Sequence, residues 1–292
     1  MVPRTPLLRR WLVWLAVLPS LVAGLGCELS PKLDESLANS VRRLPAVQPP
    51  PNSVCLDVLV VERPRGDNLL GPELWSRVDQ VPALESGIRE TLKRNGFRLG
   101  VVGTNPPRAL QQLIGEKPNS LQETAADAHL VGHRFFIPTG GDARIVASPL
   151  LPDCEVGVER EGEVQTLVLE EAECRFRLTV RQLQSGWAQL EFVPQVSHGP
   201  HQLRRVADEA GFRFEDGQRV ETFYDQRFTL TLAVGEMALI SFEGRNEPTL
   251  GSLFFAGYRT DHRDGGTGSE AATEVGRLLV IRLTESTGGA PQ

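Results

Sequence analysis

The stretch CRFRLTVRQLQSGWAQLEFVPQV, residues 174–196, decides how the chain is read. Cys174, Phe176, Leu178 and Val180 alternate with Arg175, Arg177, Thr179 and Arg181. On the return, Ala188, Leu190, Phe192 and Val196 alternate with Trp187, Gln189 and Glu191. A period of two marks strands with one buried face. A slip of one residue would turn every side chain over, so Val180 must oppose Leu190 and Leu178 must oppose Phe192. That parity predicts a three-residue loop, Gln184-Ser185-Gly186, with glycine in the left-handed position. The outer face then sets Arg177 and Arg181 beside Glu191, an exposed pairing that adds little stability.

The same texture continues downstream. Phe212–Gly217 (FRFEDG) predicts a hairpin turning at Asp216-Gly217, and Gln226–Val234 alternates again. Gly235-Glu236 turns into Met237–Phe242, Leu250–Phe255 (LGSLFF) is apolar, and Asp261–Ser269 is a glycine-rich polar loop. Leu278–Leu283 (LLVIRL) closes the chain as a buried strand. Residues 151–292 are therefore expected to form a β-rich module, a sandwich or open barrel-like sheet.

Upstream, Val54–Val61 (VCLDVLVV) is apolar on both faces except at Asp57, as in a central strand covered on each side. Gly71-Pro72 opens a short helix with Leu74, Trp75 and Val78. Pro82 starts another, with Leu84, Ile88 and Leu92 on one face and the pairs Glu85/Arg89 and Glu90/Arg94 on the other. Phe97–Val102 reads as a strand, and Thr104-Asn105-Pro106-Pro107 opens a helix burying Leu110, Leu113 and Ile114. Glu116–Asp127 is polar connection. Strands at Arg134–Pro138 and Ala143–Ser148 flank Thr139-Gly140-Gly141-Asp142, which predicts a hairpin turn. Residues 53–150 thus form a small α/β module, and the fold class is α+β.

The N-terminus carries an address. Arg4, Arg9 and Arg10 precede a charge-free run of 15 residues, Trp11–Leu25, too short for a spanning helix. Gly26-Cys27 resembles the lipobox of bacterial lipoproteins, although Gly24 stands where that family prefers leucine. The resemblance implies a signal peptide at 1–26, lipidation of Cys27 and anchorage to a membrane on the non-cytoplasmic side. Gly24-x-Gly26 also fits ordinary signal cleavage, which would give a secreted or periplasmic protein, and an uncleaved anchor is the third possibility. Residues 27–52, ending Pro49-Pro50-Pro51, read as a tether.

A second resemblance covers about 100 of the 292 residues. EFVPQVS (Glu191–Ser197), FTLTLAVGEMALIS (Phe228–Ser241), PTLGSLFF (Pro248–Phe255) and RLLVIRLT (Arg277–Thr284) follow one another in an order similar to the C-terminal region of bacterial secretins. Those are multimeric outer-membrane channels, so the resemblance implies a β-rich assembly module. Departures are plain: Phe242-Glu243-Gly244 replaces a Gly-Leu pair, and Ser197–Asp225 exceeds the usual connection.

Chemistry is sparse. A net charge of −6 argues against a nucleic-acid partner. Export makes one disulfide plausible, and Cys154 and Cys174 are the better pair because they bracket a hairpin, whereas Cys55 is a buried small hydrophobe. No cofactor motif and no zinc spacing occurs. His198 and His201 could share a metal but read as surface loop. Asp261-His262-Arg263-Asp264 reads as a solvated run. Asp57 is either functional or hydrogen-bonded. Trp75 and Trp187 could stack on a ligand but read as core and hairpin cover. The expectation is a non-catalytic envelope protein with a structural or assembly role, with a protein partner or a homo-oligomer. The alternatives are a solute- or polymer-binding lipoprotein with a pocket between modules, and a hydrolase with a cryptic site.

Overall fold

The computed structural model describes residues 50–78, 84–115, 129–160, 162–208, 211–244, 248–260 and 272–287. The signal, Cys27, most of the tether, the Glu116–Asp127 connection and the Asp261–Asp264 run lie outside them.

The fold is a β-rich α+β arrangement of three layers. One antiparallel sheet is ordered β2 (Phe97–Val102), β11 (Met237–Phe242), β13 (Ala272–Ser286), β1 (Ser53–Pro64) and β3 (His129–Pro138). Strand β13 runs beside β1 from Val275 to Ser286, and its other edge is shared by β11 and by β12 (Ala256–Thr260). A second sheet is ordered β10 (Phe228–Ala233), β8 (Trp187–Asp208), β7 (Glu173–Gln184) and β4 (Asp142–Val146), with β9 (Gly211–Thr222) also on β8. Strands β5 (Cys154–Arg160) and β6 (Glu163–Leu169) form a separate hairpin.

Period-two patterning explains the layers. In β13, Leu279, Ile281 and Leu283 face the second sheet, while Leu278 and Val280 face the helices. In β11, Ala238 and Ile240 face the sandwich, and Met237 and Leu239 face the helices. Strands covered on both sides read as near-continuous apolar runs, as in Val54–Val61 and Leu278–Leu283, broken only at Asp57 and Arg282. The sandwich core closes around Phe176, whose ring contacts Phe97, Phe192, Phe228, Phe254 and Phe255 at 4.9–6.4 Å between centroids. On the outer face, α1 (Pro72–Trp75) and α3 (Arg108–Leu113) bury Leu74, Trp75, Leu110 and Leu113. Helix α2 (Ser86–Arg94) adds Leu92 to the sandwich side.

Several expectations are corrected. The boundary at residue 150 does not divide the sheets. Strand β1 pairs with β13, β2 with β11 and β4 with β7, so residues 53–150 do not close a module of their own. Thr139–Asp142 is a corner rather than a hairpin turn: β3 stays in one sheet and β4 crosses to the other, with Gly140 N–H donating to the Val180 carbonyl at 2.8 Å. Asp216-Gly217 lies inside β9, which runs on as a strand. Leu250–Phe255 is a helix, α4, because Thr249 and Ser252 complete a reciprocal capping box and Gly251 lets the helix abut the backbone of Gly96. The pairs on α2 go elsewhere: Arg94 reaches Glu159 at 2.8 Å, and Arg89 donates to the Leu84 carbonyl.

The deciding hairpin keeps its register, with Val180 opposite Leu190 and Leu178 opposite Phe192. The odd residue sits elsewhere, however. Gln184 pairs with Trp187 across a two-residue turn, Ser185-Gly186, and the pairing slips at Arg181 as a bulge.

Candidate functional site

Two features of the described residues stand apart from ordinary packing. The first is the far half of β8. From Trp187 to Ser197 this strand is flanked by β7, and by β10 or β9 on the other side. From His198 to Asp208 its described partner is β9 alone. Eleven residues at about 3.3 Å each make an arm roughly 35 Å long. Its base is pinned where the register slips between His198 and Gln202. There Gly199 N–H donates to the Glu170 carbonyl at 2.6 Å, and Gln218 Nε2 donates to the carbonyls of Glu171 and Gly199 at 2.9 and 3.0 Å.

Leu203, Phe212 and Phe214 on this arm are 74%, 65% and 73% exposed. Leu203 opposes Asp216 in the register, and residues two apart on a strand share a face, so all three stand on one side of the ribbon. The arm also has a direction. Ser53 N–H donates to Thr287 Oγ1 at 3.1 Å and Ser286 Oγ to the Gln184 carbonyl at 2.7 Å, placing the entry of the chain beside the β7–β8 turn. Strand β8 runs away from that turn, so the arm leaves the opposite end of the sandwich.

The second feature is a polar row across the helix-facing side of the first sheet. Met237, Arg282, Asp57 and Arg134 stand directly opposite one another on β11, β13, β1 and β3. Arg134 donates to both carboxylate oxygens of Asp57, Nε to Oδ1 at 2.7 Å and Nη2 to Oδ2 at 3.1 Å. Those hydrogen bonds raise the Arg134 guanidinium further above its usual value. Asp57 is therefore the hydrogen-bonded carboxylate. The row borders a cavity of about 490 Å³, lined also by Leu59, Ile114, Gly132, His133 and Val280. Arg282 and Arg134 were not singled out above. Their signal was there: Arg282 interrupts LLVIRL as Asp57 interrupts VCLDVLVV, and opposite charges in two apolar strands suggest pairing.

The remaining candidates separate. His198 borders the slip in β8 and His201 lies within it, with His201 Nδ1 at 3.6 Å from Asp216, and no group of three metal-ligating side chains occurs among the described residues. Trp75 is buried, donates from Nε1 to the Leu70 carbonyl at 3.1 Å and has the Arg98 guanidinium 4.5 Å above its ring. Trp187 is half-buried beside the β7–β8 turn. Glu191, a buried carboxylate, takes Arg181 at 2.5 Å and Arg227 at 3.9 Å, while Arg177 sits over Tyr224 instead. The expected disulfide is not formed: Cys154 and Cys174 are free thiols, as is buried Cys55. Cys154 opens the separate hairpin, whereas Cys174 points into the core, its Sγ donating to the Leu253 carbonyl at 3.6 Å. Burial pushes the Cys174 thiol up to about 12. A further cavity of about 670 Å³ lies between α1 and the start of α3, bordered by Glu73, Arg77 and Arg108.

Compared with known proteins, the chain matches no family model, no curated protein and no solved structure.

Proposed function

We propose that the protein is an exported, lipid-anchored component of the cell envelope with a non-catalytic assembly role, and that it associates with further copies of itself through the β8–β9 arm. One observation carries this reading: Leu203, Phe212 and Phe214 share a face of a two-stranded ribbon and are exposed to water. Two-stranded ribbons are marginal alone, and an apolar face on one gains stability by being covered. A second arm offers the matching surface, because the same three residues face the same way on every copy. The secretin resemblance points the same way, toward an assembly of copies.

Sedimentation equilibrium of the full chain in detergent tests the reading. Burying a phenylalanine contributes about 1.5–3 kcal/mol. The double variant Phe212→Ser/Phe214→Ser should therefore self-associate at least about tenfold more weakly than the native chain, with unchanged thermal unfolding. A native chain that stays monomeric at all concentrations, or a double variant that associates equally well, would refute it.

A further inference from the structure

The β5–β6 hairpin stands apart from both large sheets, and among the described residues β6 has β5 as its sole strand partner. The inner face of the hairpin is buried, with Val156, Val158 and Leu169 in the sandwich core. The outer face of β6 carries Val164, Thr166 and Val168, and the two valines are 72% and 66% exposed.

The backbone of the same three residues is also open. Gly157 N–H donates to the Pro248 carbonyl at 3.1 Å, away from β6, and Gly157 opposes Thr166 in the register. In an antiparallel ladder both members of such a pair turn their backbone groups outward, and the pattern repeats at every second residue. The N–H and C=O groups of Val164, Thr166 and Val168 therefore point to the outer edge of β6. Among the described residues none of them has a backbone partner there. Natural edge strands are blunted by lysine, proline or a bulge. Strand β6 contains neither residue, and its pairing with β5 runs without a slip from Glu163 to Leu169.

This edge is complementary to itself. A second β6, turned antiparallel about Thr166, sets Val164 opposite Val168 and Thr166 opposite Thr166. Each outward N–H then meets an outward C=O, with two bonds in every opposed pair. Cross-strand pairs of β-branched residues and of threonines are favourable. The charge on the strand, Glu163, falls opposite Leu169 instead of its own copy. Glu163 and Gln165 are exposed although they belong to the inner face, so this half of β6 overhangs the body and leaves room for a neighbour.

We infer that β6 is a self-association edge, pairing antiparallel with β6 of a second copy about a two-fold axis at Thr166. Such a surface is isologous, one strand serving both partners. Seven residues span roughly 23 Å, so the pairing is weak beside an interface of standard size. The edge shares no residue with the β8–β9 arm, and either surface can fail without the other. Where both hold, each copy joins a different neighbour through each, and assembly extends beyond pairs.

The test uses the full chain in detergent carrying Phe212→Ser/Phe214→Ser, which removes the apolar side chains of the arm. Sedimentation equilibrium should still show a monomer–dimer equilibrium, with a dissociation constant of about 1 mM or below. Amide hydrogen exchange followed by NMR should slow at least about fivefold at Val164, Thr166 and Val168 as the dimer forms, while Gln165 and Leu167, which face β5, change little. Adding Thr166→Lys sets two lysines directly opposite at the axis and should weaken the dimer at least about fivefold, with unchanged thermal unfolding. Thr166→Pro removes the outward N–H at the axis without touching the bonds to β5, should act in the same direction, and serves if the lysine variant misfolds. A chain monomeric at every concentration up to about 1 mM overturns the edge. So does a dimer that leaves the three amides unprotected, or one undiminished in a folded Thr166→Lys or Thr166→Pro chain. Full protection of the three amides already in the monomer would place another segment of the same chain on β6, and overturns it too.

Discussion

Arg277 donates from Nε to Glu62 Oε2 at 2.8 Å across the β13–β1 pair, from a side chain only 4% exposed. Its Nη1 also donates to the Ala256 carbonyl at 3.3 Å, so one guanidinium ties β1, β13 and the start of β12 together.

Removing the carboxylate leaves that cation buried and unpaired. Glu62→Gln is expected to lower unfolding stability by about 2–4 kcal/mol, below the full cost of a broken buried pair because glutamine still accepts a hydrogen bond. The exposed pair Arg65–Glu274, with both side chains 42% exposed, is the control, and Glu274→Gln should cost no more than about 0.5 kcal/mol. Urea titration of both variants measures the contrast. Equal effects would show that Glu62 does not compensate Arg277.

Helix α4 depends on a glycine. A Cβ at Gly251 would stand 2.8 Å from the backbone nitrogen of Phe97 and still closer to the Gly96 carbonyl, and backbone cannot move aside as a flexible side chain can. Gly251→Ala should cost at least about 2 kcal/mol, within the range for overpacking a core. Gly87 in α2 has no atom within 4 Å of such a Cβ, so Gly87→Ala should stabilise by about 0.5–1 kcal/mol. Thermal unfolding of the two variants should move in opposite directions.

Much of this was legible in the residues, and the rest failed for identifiable reasons. Alternation alone paired Val180 with Leu190, because burying one face of two strands leaves a single register. It could not say where the odd residue sits, since a bulge at Arg181 restores parity as well as a longer turn does. LGSLFF is apolar enough for a strand, and its helical state comes from the Thr249–Ser252 cap and the Gly96 backbone lying 155 residues earlier (251 minus 96). The division at residue 150 failed because strand order is a tertiary property: β11 and β13 stand between β1 and β2, which local pattern cannot reveal. The same order assembles Met237, Arg282, Asp57 and Arg134 from four separate stretches. Composition pointed to no such cluster.

Buried Cys174 gives the protein an alkaline weakness. Its folded thiol is held up to about 12, chiefly by loss of solvent, against an ordinary 9.0. The folded state therefore keeps a proton that the unfolded state releases. The contribution is fully present below pH 9 and is lost as pH rises toward about 12, at no more than about 1.4 kcal/mol per pH unit. Urea unfolding across this window should fall more steeply for the native chain than for Cys174→Ala, whatever the variant's lower starting stability. Parallel slopes would mean that the thiol does not titrate between the two states.

If anchored copies meet arm to arm, as proposed, a photo-crosslinking amino acid at Phe214 in intact cells should capture the second copy. The expected product is a covalent dimer in the membrane fraction, its crosslink mapped by mass spectrometry to the β8–β9 arm of the second copy, with Cys27→Ala releasing the protein from that fraction. A chain that crosslinks only to a different protein, or that is soluble and uncrosslinked, would contradict it.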